Sequence, residues 1–367
     1  MIPGNGHSMI RQVKPSYLCA ISIALTVFIF LGGEARPASS AASYDVADLG
    51  VFDQGTGEIV RGLNLAGDVI GGSASSGSGT RAFRLTNTRF ENLQGLPGTD
   101  RSISHGANDQ GSVVGSSNTS TSLRSFIWTQ KDGIRNLDPL PGDNGSEAFG
   151  INNRNEAVGY SSGPHGMEAV LWSSNGKIRR LGRLHNNDHS RALAINQLGE
   201  VVGSSGSAGK TTAFLWTPDG GIVSLGTLPG DTKSVALSIN KHTQVVGYSV
   251  GLDGTRGFLW TRNSGMVSLG TLPGGDYSRA ISINDRGEVV GASGTLSETR
   301  AFLWTPNHGM EDLNSRIGAG SGFILSEATG INDLGIILAA GRDEDGHGGG
   351  HGTHEVPTRV FLLTPRR

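Results

Sequence analysis

The sequence predicts an all-β fold, a seven-bladed β-propeller with four strands in each blade. Three observations support this prediction. Tryptophan recurs five times at a spacing of 44 residues, from Trp128 to Trp304. Each repeat contains four short β-like segments and no segment with helical periodicity. The N-terminal end of the repeat region has one extra strand and the C-terminal end lacks one, as a closed ring requires. Self-similarity at a fixed period of about 20 to 50 residues is the signature of a repeat architecture.

Three residue types mark the repeat. The tryptophans are Trp128, Trp172, Trp216, Trp260 and Trp304. Leucine recurs at the same spacing, at Leu49, Leu93, Leu137, Leu181, Leu225, Leu269 and Leu313. Asparagine recurs at Asn64, Asn108, Asn152, Asn196, Asn240, Asn284 and Asn332, where the last step is four residues longer. These markers define seven copies, and the first and last copies carry Leu85 and Leu363 at the tryptophan position.

One copy, residues 277–313, shows the strands in order. Its four β-like segments are SRAISIN, GEVVGAS, TRAFLW and GMEDL. The turn NDRG joins the first two, and its Gly287 can adopt positive φ. The turn TPNHG joins the last two, with proline near its start. Four strands of about six residues and four connections of about five make about 44 residues. Such a meander cannot bury both of its faces alone, and radial packing of copies as a β-propeller buries them.

The ends of the repeat region predict how the ring closes. The segment YDVADL, residues 44–49, is a fourth strand that precedes the first full copy. The last copy ends after RVFLLTP without a fourth strand of its own. We therefore expect residues 44–49 to complete the last blade, because this pairing removes two exposed sheet edges. The predicted propeller domain spans residues 43–367.

Residues 1–42 predict a secretory signal peptide followed by a linker of small residues. Arg11 and Lys14 precede an apolar run at 17–31, and GGEARPASSAAS follows it. The run is shorter than the roughly 20 residues that span a bilayer, which favours a cleaved signal over a retained anchor. We expect a secreted or periplasmic, bacterial protein with no membrane span after cleavage. Cys19 lies in the run, so the mature chain would have no disulfide or thiol chemistry.

Composition limits the partners that we expect. The formal net charge is -2, only 17% of residues are charged, and no basic run is present. A nucleic-acid partner is therefore not expected. No feature of the sequence indicates an oligomer, so we expect a monomer. An extracellular glycan or protein is the expected partner.

The pieces AFLWTP, LGTLPGG and INDRGEVVG resemble the bacterial HAF family of extracellular repeats, and the resemblance covers nearly all of residues 44–364. That family is named for a His-Ala-Phe triplet before the tryptophan. This chain departs from it, because the equivalent triplets are Arg81-Ala82-Phe83, Thr212-Ala213-Phe214, Arg256-Gly257-Phe258 and Arg300-Ala301-Phe302. The resemblance implies export and tandem repeats, and it brings no established activity.

Three columns of repeated residues are predicted to be scaffold. The tryptophans and phenylalanines of the third strand could stack on sugars, but their fixed register favours a core between blades. The asparagines could bind a ligand, but asparagine at the start of a tight turn bonds its own backbone. A serine column on the first strand indicates crowding near the axis, and none of its serines lies in a G-x-S-x-G motif that would indicate a nucleophile. The column comprises Ser102, Ser146, Ser190, Ser234, Ser278 and Ser326.

The predicted binding site lies on the face that carries the strand 2–3 and strand 4–1 loops, which we call the loop face. Loops on a rigid scaffold are where function concentrates. Carboxylates and arginines there could bind a sugar, a peptide or a cation, although aspartate also suits turns. The candidate ligand-binding residues are Asp143, Glu147, Asp188, Arg191, Asp231, Asp276, Arg279 and Glu327. Asp100 occupies the equivalent position in an earlier copy.

The last copy carries two insertions, both on the loop face. One of them places His347, His351 and His354 near Asp343, Asp345 and Glu355. Imidazole and carboxylate suit zinc, copper or nickel, so a divalent metal is a candidate cofactor, and a solvated loop without metal is the alternative. The motif His-Gly-Thr-His resembles that of subtilisin-like proteases, but Val356-Pro357 follows it and disfavours the helix which that motif opens.

These observations favour a non-enzymatic binding or scaffold module. The first alternative is an extracellular polysaccharide lyase or hydrolase with acid–base residues on the insertions of the last blade. Repeated, equivalent carboxylates give no reason to single out one acid and one base for such a reaction. The second alternative is a metal-binding protein that uses residues 347–354.

Overall fold

A computed structural model describes residues 44–51, 60–75, 79–86, 89–118, 122–184, 189–207, 209–295, 298–318, 320–344 and 359–366. In these residues the chain forms seven four-stranded antiparallel sheets, which are the blades of a seven-bladed β-propeller. The predicted fold class is therefore confirmed. Within these ranges, no helix is long and apolar enough to span a membrane.

The first strand in the chain, β1 (Tyr44–Val51), belongs to the last blade. Each of the first three full blades follows the chain from its innermost to its outermost strand. Blade 1 contains β2 (Val60–Leu63), β3 (Val69–Ser75), β4 (Gly79–Leu85) and β5 (Phe90–Gln94). Blade 2 contains β6 (Arg101–Ala107), β7 (Val113–Asn118), β8 (Leu123–Thr129) and β9 (Gly133–Leu137). Blade 3 contains β10 (Gly145–Ile151), β11 (Ala157–Gly163), β12 (Gly166–Trp172) and β13 (Ile178–Gly182).

The remaining blades repeat this order. Blade 4 contains β14 (His189–Ile195), β15 (Val201–Ser207), β16 (Lys210–Thr217) and β17 (Gly221–Gly226). Blade 5 contains β18 (Lys233–Ile239), β19 (Val245–Gly251), β20 (Gly254–Thr261) and β21 (Gly265–Ser268). Blade 6 contains β22 (Tyr277–Ile283), β23 (Val289–Gly294), β24 (Thr299–Thr305) and β25 (Gly309–Asp312). A 3₁₀ helix (Leu313–Arg316) leads to blade 7, which contains β26 (Phe323–Ile331), β27 (Ile337–Asp343) and β28 (Arg359–Pro365).

The N-terminal strand closes the ring, as the sequence predicted. Strand β1 pairs antiparallel with β28, from Tyr44 opposite Pro365 to Val51 opposite Arg359. The Tyr44 side chain is buried in the core of the last blade. Arg359 forms an ion pair with Asp48 of β1. Since β28 would otherwise be an unpaired edge, this pairing completes the hydrogen-bond ladder of blade 7.

The hydrophobic core lies between neighbouring blades. The phenylalanines of six third strands are almost completely buried there, as predicted: Phe83, Phe126, Phe214, Phe258, Phe302 and Phe361. Blade 3 has Val170 at the equivalent position. Burial of the tryptophans varies more. Trp172 is fully buried, whereas Trp128, Trp260 and Trp304 are partly buried beside the clusters that they cover. The phenylalanine column therefore contributes more uniformly to the core than the tryptophan column that first revealed the repeat.

The serine column joins neighbouring blades. Five of its hydroxyls accept a hydrogen bond from a third-strand amide of the preceding blade, at 2.9 to 3.2 Å: Ser102, Ser146, Ser190, Ser234 and Ser278. These serines are at most 1% exposed. Each hydroxyl therefore satisfies a buried N–H donor that would be costly to leave unpaired. Their burial supports the scaffold interpretation.

The innermost strand of each blade contains a β-bulge. In β10 the register against β11 shifts between Ala148 and Gly150. A Cβ added to Gly159 of β11 would lie 1.8 Å from the Glu147 carbonyl oxygen, so the two backbones can approach this closely only with glycine there. A bulge changes the direction in which a side chain points from the sheet. One bulged residue of each blade lines the central cavity described below, and β26 has a second bulge at Ser326.

Candidate functional site

An axial cavity of about 570 Å³ lies where the seven innermost strands meet. Its wall includes the bulged residue of every blade, and we call these residues the bulge ring. The bulge ring comprises Arg61, His105, Phe149, Leu193, Leu237, Ile281 and Thr329. Four consecutive blades contribute apolar members, and the other three contribute polar ones. The cavity thus has one apolar side and one polar side.

A smaller depression of about 260 Å³ lies on the same axis at the face of the strand 1–2 and strand 3–4 turns, which we call the turn face. The two spaces share five aliphatic lining residues: Leu63, Ala107, Ile151, Ile195 and Ile239. Beyond these residues, towards the turn face, the seven repeated asparagines line the depression.

The seven asparagines form a closed ring of hydrogen bonds. Each Nδ2 donates to the backbone carbonyl of the corresponding asparagine in the next blade, at 3.0 to 3.3 Å. The side chains are at most 7% exposed. Each Oδ1 also accepts a backbone amide of its own turn, as Asn64 does from Asp68 at 2.8 Å. The predicted turn role is confirmed, and the same side chains additionally link every pair of neighbouring blades.

The residue after each asparagine extends these links. Asp109, for example, accepts the Leu65 amide at 2.9 Å, and its own amide donates to Asn153 Oδ1 at 2.9 Å. Asp285 likewise accepts the Lys241 amide and donates to Asp333. Most polar groups around the axis of the turn face therefore already form hydrogen bonds within the protein.

At the other end of the cavity, four of the candidate residues occupy one equivalent position, and we call them the charged ring: Glu147, Arg191, Arg279 and Glu327. Glu147, Arg191 and Arg279 are the third residues of β10, β14 and β22, and Glu327 lies at the middle of the longer β26; all four pair with the second strands of their blades. Arg279 and Glu327 line the axial cavity. The Arg191 side chain is exposed, with its Nε 3.5 Å from Ser204 Oγ.

Glu147 is the centre of a hydrogen-bond network between blades 2 and 3. His105 Nε2 lies 3.0 Å from Glu147 Oε1, and the Tyr160 hydroxyl donates to Oε2 at 3.0 Å. Ser116 Oγ donates to Oε1 at 3.3 Å. The His105 side chain is only 6% exposed, packs against Phe149 with ring centroids 5.2 Å apart, and leaves Nδ1 without a partner in the described structure.

The network sets the protonation of its members. Burial alone would raise the pKa of the Glu147 carboxyl. The hydrogen bond from His105, the charge of His105 and the hydrogen bonds from Tyr160 and Ser116 together hold that pKa below its ordinary value. Burial and the adjacent Glu147 carboxylate raise the pKa of Tyr160 far above its ordinary value. Tyr160 therefore remains a hydrogen-bond donor to a carboxylate.

The opposite side of the cavity holds Glu327 between two arginines. Burial raises the pKa of Glu327, and the charges of Arg279 and Arg61 offset this only in part. The structure shows neither arginine within ion-pair distance of this carboxylate in the residues it describes. The Arg279 guanidinium lies over the Tyr248 ring, 4.8 Å from its centroid, and Arg279 Nε is buried without a hydrogen-bond partner among the same residues.

The candidate aspartates lie apart from the axial cavity. Asp143 Oδ2 accepts a hydrogen bond from Ser161 at 2.7 Å, and its amide closes a turn onto the Leu140 carbonyl at 2.9 Å. Asp231 closes the equivalent turn in blade 5, and its Oδ2 is buried without a partner in the described part of the chain. Asp276 is exposed, and its carbonyl accepts a hydrogen bond from Arg256. Asp188 lies outside the described residues.

The candidate metal ligands His347, His351 and His354 also lie outside the described residues. Among the residues that the structure does describe, no group of three or more His, Cys, Asp or Glu side chains is placed to hold a metal ion.

Sequence reasoning missed the bulge ring and three tyrosines. Tyr160, Tyr248 and Tyr277 lie beside the charged ring, where each is half-buried. A signal was present in the sequence. The bulge-ring position varies from Arg61 to Phe149, whereas the residues on either side of it are Gly, Ala or Ser in every copy except for Val60. Variation within an otherwise regular column indicates a position that packing between blades does not fix.

No protein-family model matches the chain. No curated protein sequence matches it either. Among solved structures, it is similar to virginiamycin B lyase from Staphylococcus aureus, with a TM-score of 0.54 and 14% identity over 88% of this chain and 100% of the lyase. It is also similar to a puromycin hydrolase, with a TM-score of 0.54 and 12% identity over 78% of this chain and 50% of the hydrolase. At these identities the likeness supports a shared propeller fold.

Proposed function

We propose that the protein is an exported β-propeller binding module that recognises an extracellular glycan or protein through its loop face. One observation carries this proposal: the two faces use their polar groups differently. On the turn face, the asparagine ring and the residues after it bond to neighbouring blades. On the loop face, Arg191 of the charged ring is exposed and Arg279 Nε has no hydrogen-bond partner among the described residues, although Glu147 is bonded to its neighbours.

The surroundings of the charged ring suit a polar ligand that contacts several blades. Tyr160 and Tyr248 each contact a member of the ring, so an aromatic surface lies beside a charge in two places. Amphipathic rings of this kind contribute contact area together with a polar group. Exposed Asp100 and Asp276 add carboxylates farther out on the same face. The predicted signal peptide and the resemblance to HAF repeats support export to a compartment that contains such partners.

The test is a binding screen with the purified mature protein, using a glycan array and a pull-down of surface proteins. Arg191→Ala and Asp276→Ala should each weaken binding by a few fold, and the double variant should weaken it further, because the site spans blades. Lys177→Ala, an exposed change in a strand 3–4 turn, should have no effect. Loss of binding in the Lys177 variant but not in the other two would place the site elsewhere.

A polysaccharide lyase or hydrolase is a second candidate function, and the buried His105–Glu147 pair favours it. Acid–base chemistry needs an imidazole or carboxyl group within hydrogen-bond reach of the substrate, and His105 lines the axial cavity. An enzyme would cleave a glycan that it binds on the array. His105→Gln and Glu147→Gln would each reduce the rate of that cleavage by more than about a hundredfold. Binding without turnover would exclude this candidate for that glycan.

A further inference from the structure

We infer that the axial cavity is itself a binding site, for a small organic anion with an aromatic or aliphatic body. Such a ligand would place its apolar part against the apolar half of the bulge ring and its acidic group between Arg61 and Arg279. This site shares Arg279 and Glu327 with the charged ring but lies deeper on the axis than Arg191 and Asp276, so its failure would leave the proposed binding through those two exposed residues standing.

The size and the openings of the cavity suit a small molecule. Its volume of about 570 Å³ falls within the roughly 300 to 1,000 Å³ of typical ligand pockets. Towards the turn face, aliphatic side chains such as Ile151 and Ile195 separate the cavity from a depression of less than half its volume, which the asparagine ring lines. A ligand would therefore enter from the loop face.

The apolar side of the cavity is not explained by packing between blades. Phe149, Leu193, Leu237 and Ile281 come from consecutive blades, and all four side chains are half-buried. Other blades carry Arg61, His105 and Thr329 at the equivalent position, so the fold accepts a polar side chain there. Four adjacent apolar residues at this position form an apolar surface that the apolar part of a ligand would cover.

The polar side favours an anion. Blades 6, 7 and 1 place Arg279, Glu327 and Arg61 next to one another around the axis, which gives two cations for one carboxylate. Burial also shifts that carboxylate towards its neutral form, since the pKa of Glu327 is raised. Arg279 Nε and His105 Nδ1 are buried polar atoms without partners in the described structure, and an acidic ligand would supply the missing acceptor to Arg279.

The guanidinium of Arg279 is held in place before any ligand binds. It lies over the Tyr248 ring, 4.8 Å from the ring centroid, and this cation–π contact restrains its position. A planar guanidinium can donate two parallel hydrogen bonds to a carboxylate or a sulfonate. An acidic group with two or three oxygens is therefore the expected polar part of the ligand.

Two fluorescent dyes test this inference directly. The first is 8-anilinonaphthalene-1-sulfonate, and the second is N-phenyl-1-naphthylamine, which has the same ring system without the sulfonate. In titrations of the mature protein, the sulfonate dye should saturate a single site with at least about tenfold higher affinity than the neutral dye. Arg279→Gln should weaken the sulfonate dye about tenfold, or about 1.4 kcal/mol, and leave the neutral dye unchanged. Leu237→Gln should weaken both.

The matched control is Arg135→Gln, the same chemical change on the exposed outermost strand of blade 2, which should leave both dyes unaffected. Near-ultraviolet circular dichroism and the melting temperature establish that each variant is folded, because partly unfolded proteins also bind such dyes. If Arg279→Gln does not fold, Arg61→Gln replaces it. Absence of saturable binding, equal affinity for the two dyes, or an equal loss in the Arg135 variant would overturn the inference.

Discussion

Asn332 Nδ2 donates a hydrogen bond to the backbone carbonyl of Asn64 at 3.1 Å, although the two residues are 268 positions apart in the chain. This bond joins blade 7 to blade 1 and completes the asparagine ring on the turn face. The pairing of β1 with β28 closes blade 7 through its outermost strand. The ring is thus closed twice, near the axis by side chains and at the rim by a strand.

Replacing Asn332 with alanine should lower the free energy of unfolding by about 2 to 4 kcal/mol. The change removes the bond to Asn64 and leaves the Ile336 amide, which donates to Asn332 Oδ1 at 3.0 Å, without its acceptor. Each buried polar group left unpaired costs about 1 to 3 kcal/mol. Chemical denaturation measures the loss. Leu334→Ala in the same turn is the control, because this side chain is 58% exposed and its loss should cost less than about 0.5 kcal/mol.

Gly159→Ala should destabilise the protein by at least about 3 kcal/mol, at the upper end of the usual cost of overpacking. The new Cβ would lie 1.8 Å from the Glu147 carbonyl oxygen, so β10 and β11 would have to separate. Gly318→Ala is the matched control, since a Cβ there would meet nothing within 4 Å. Melting temperatures of the two variants provide the comparison. Equal melting temperatures would show that β10 and β11 do not approach each other this closely.

The repeat, the seven blades and the ring closure were predictable because inter-blade packing imposes the same demand in every copy. Phe214 and Phe258 fill equivalent places between blades, and Ser190 and Ser234 satisfy equivalent amides. A residue type that recurs every 44 positions therefore reports a structural requirement. The seven asparagines follow the same logic, although only the structure shows that they also bond to one another's backbones.

The candidate site was harder to predict because its residues come from positions where the copies differ. His105 and Glu147 lie 42 positions apart and belong to neighbouring blades, and periodicity alone does not indicate that they are in contact. Glu327 and Arg279 were identified from their charge and register, and the structure places both at the axial cavity. Asp143 was identified by the same reasoning, yet its carboxylate bonds to Ser161 in its own blade.

The two buried glutamates should make opposite contributions to the pH dependence of stability. The pKa of Glu147 is lowered in the folded state, so its contribution is present above the ordinary value of 4.5 and is lost as the pH falls through the folded-state pKa. The pKa of Glu327 is raised, so this residue destabilises the fold as the pH rises from 4.5 through the folded-state pKa.

Denaturation at pH 4, 5.5 and 7 tests this difference with two matched substitutions. Glu147→Gln should be less stable than the parent protein at pH 7, and the gap should narrow at low pH. Glu327→Gln should be as stable as the parent or more stable at pH 7, and its advantage should disappear towards pH 4. Parallel curves for all three proteins would show that neither carboxyl group has a shifted pKa.

The histidine-rich insertion, residues 347–354, is a predicted metal site that melting experiments can test. A ligand at 100 times its dissociation constant adds about 2.7 kcal/mol to the free energy of unfolding, because it binds only the folded state. In a domain of this size that corresponds to a rise of roughly a few degrees in the melting temperature. Zinc, copper or nickel should produce this rise in the purified protein after EDTA treatment, and replacing His347, His351 and His354 with alanine should abolish it. A rise that persists in the triple variant would assign the metal to carboxylates elsewhere, and no rise with any of the three metals would contradict the predicted site, since imidazole ligands bind all three.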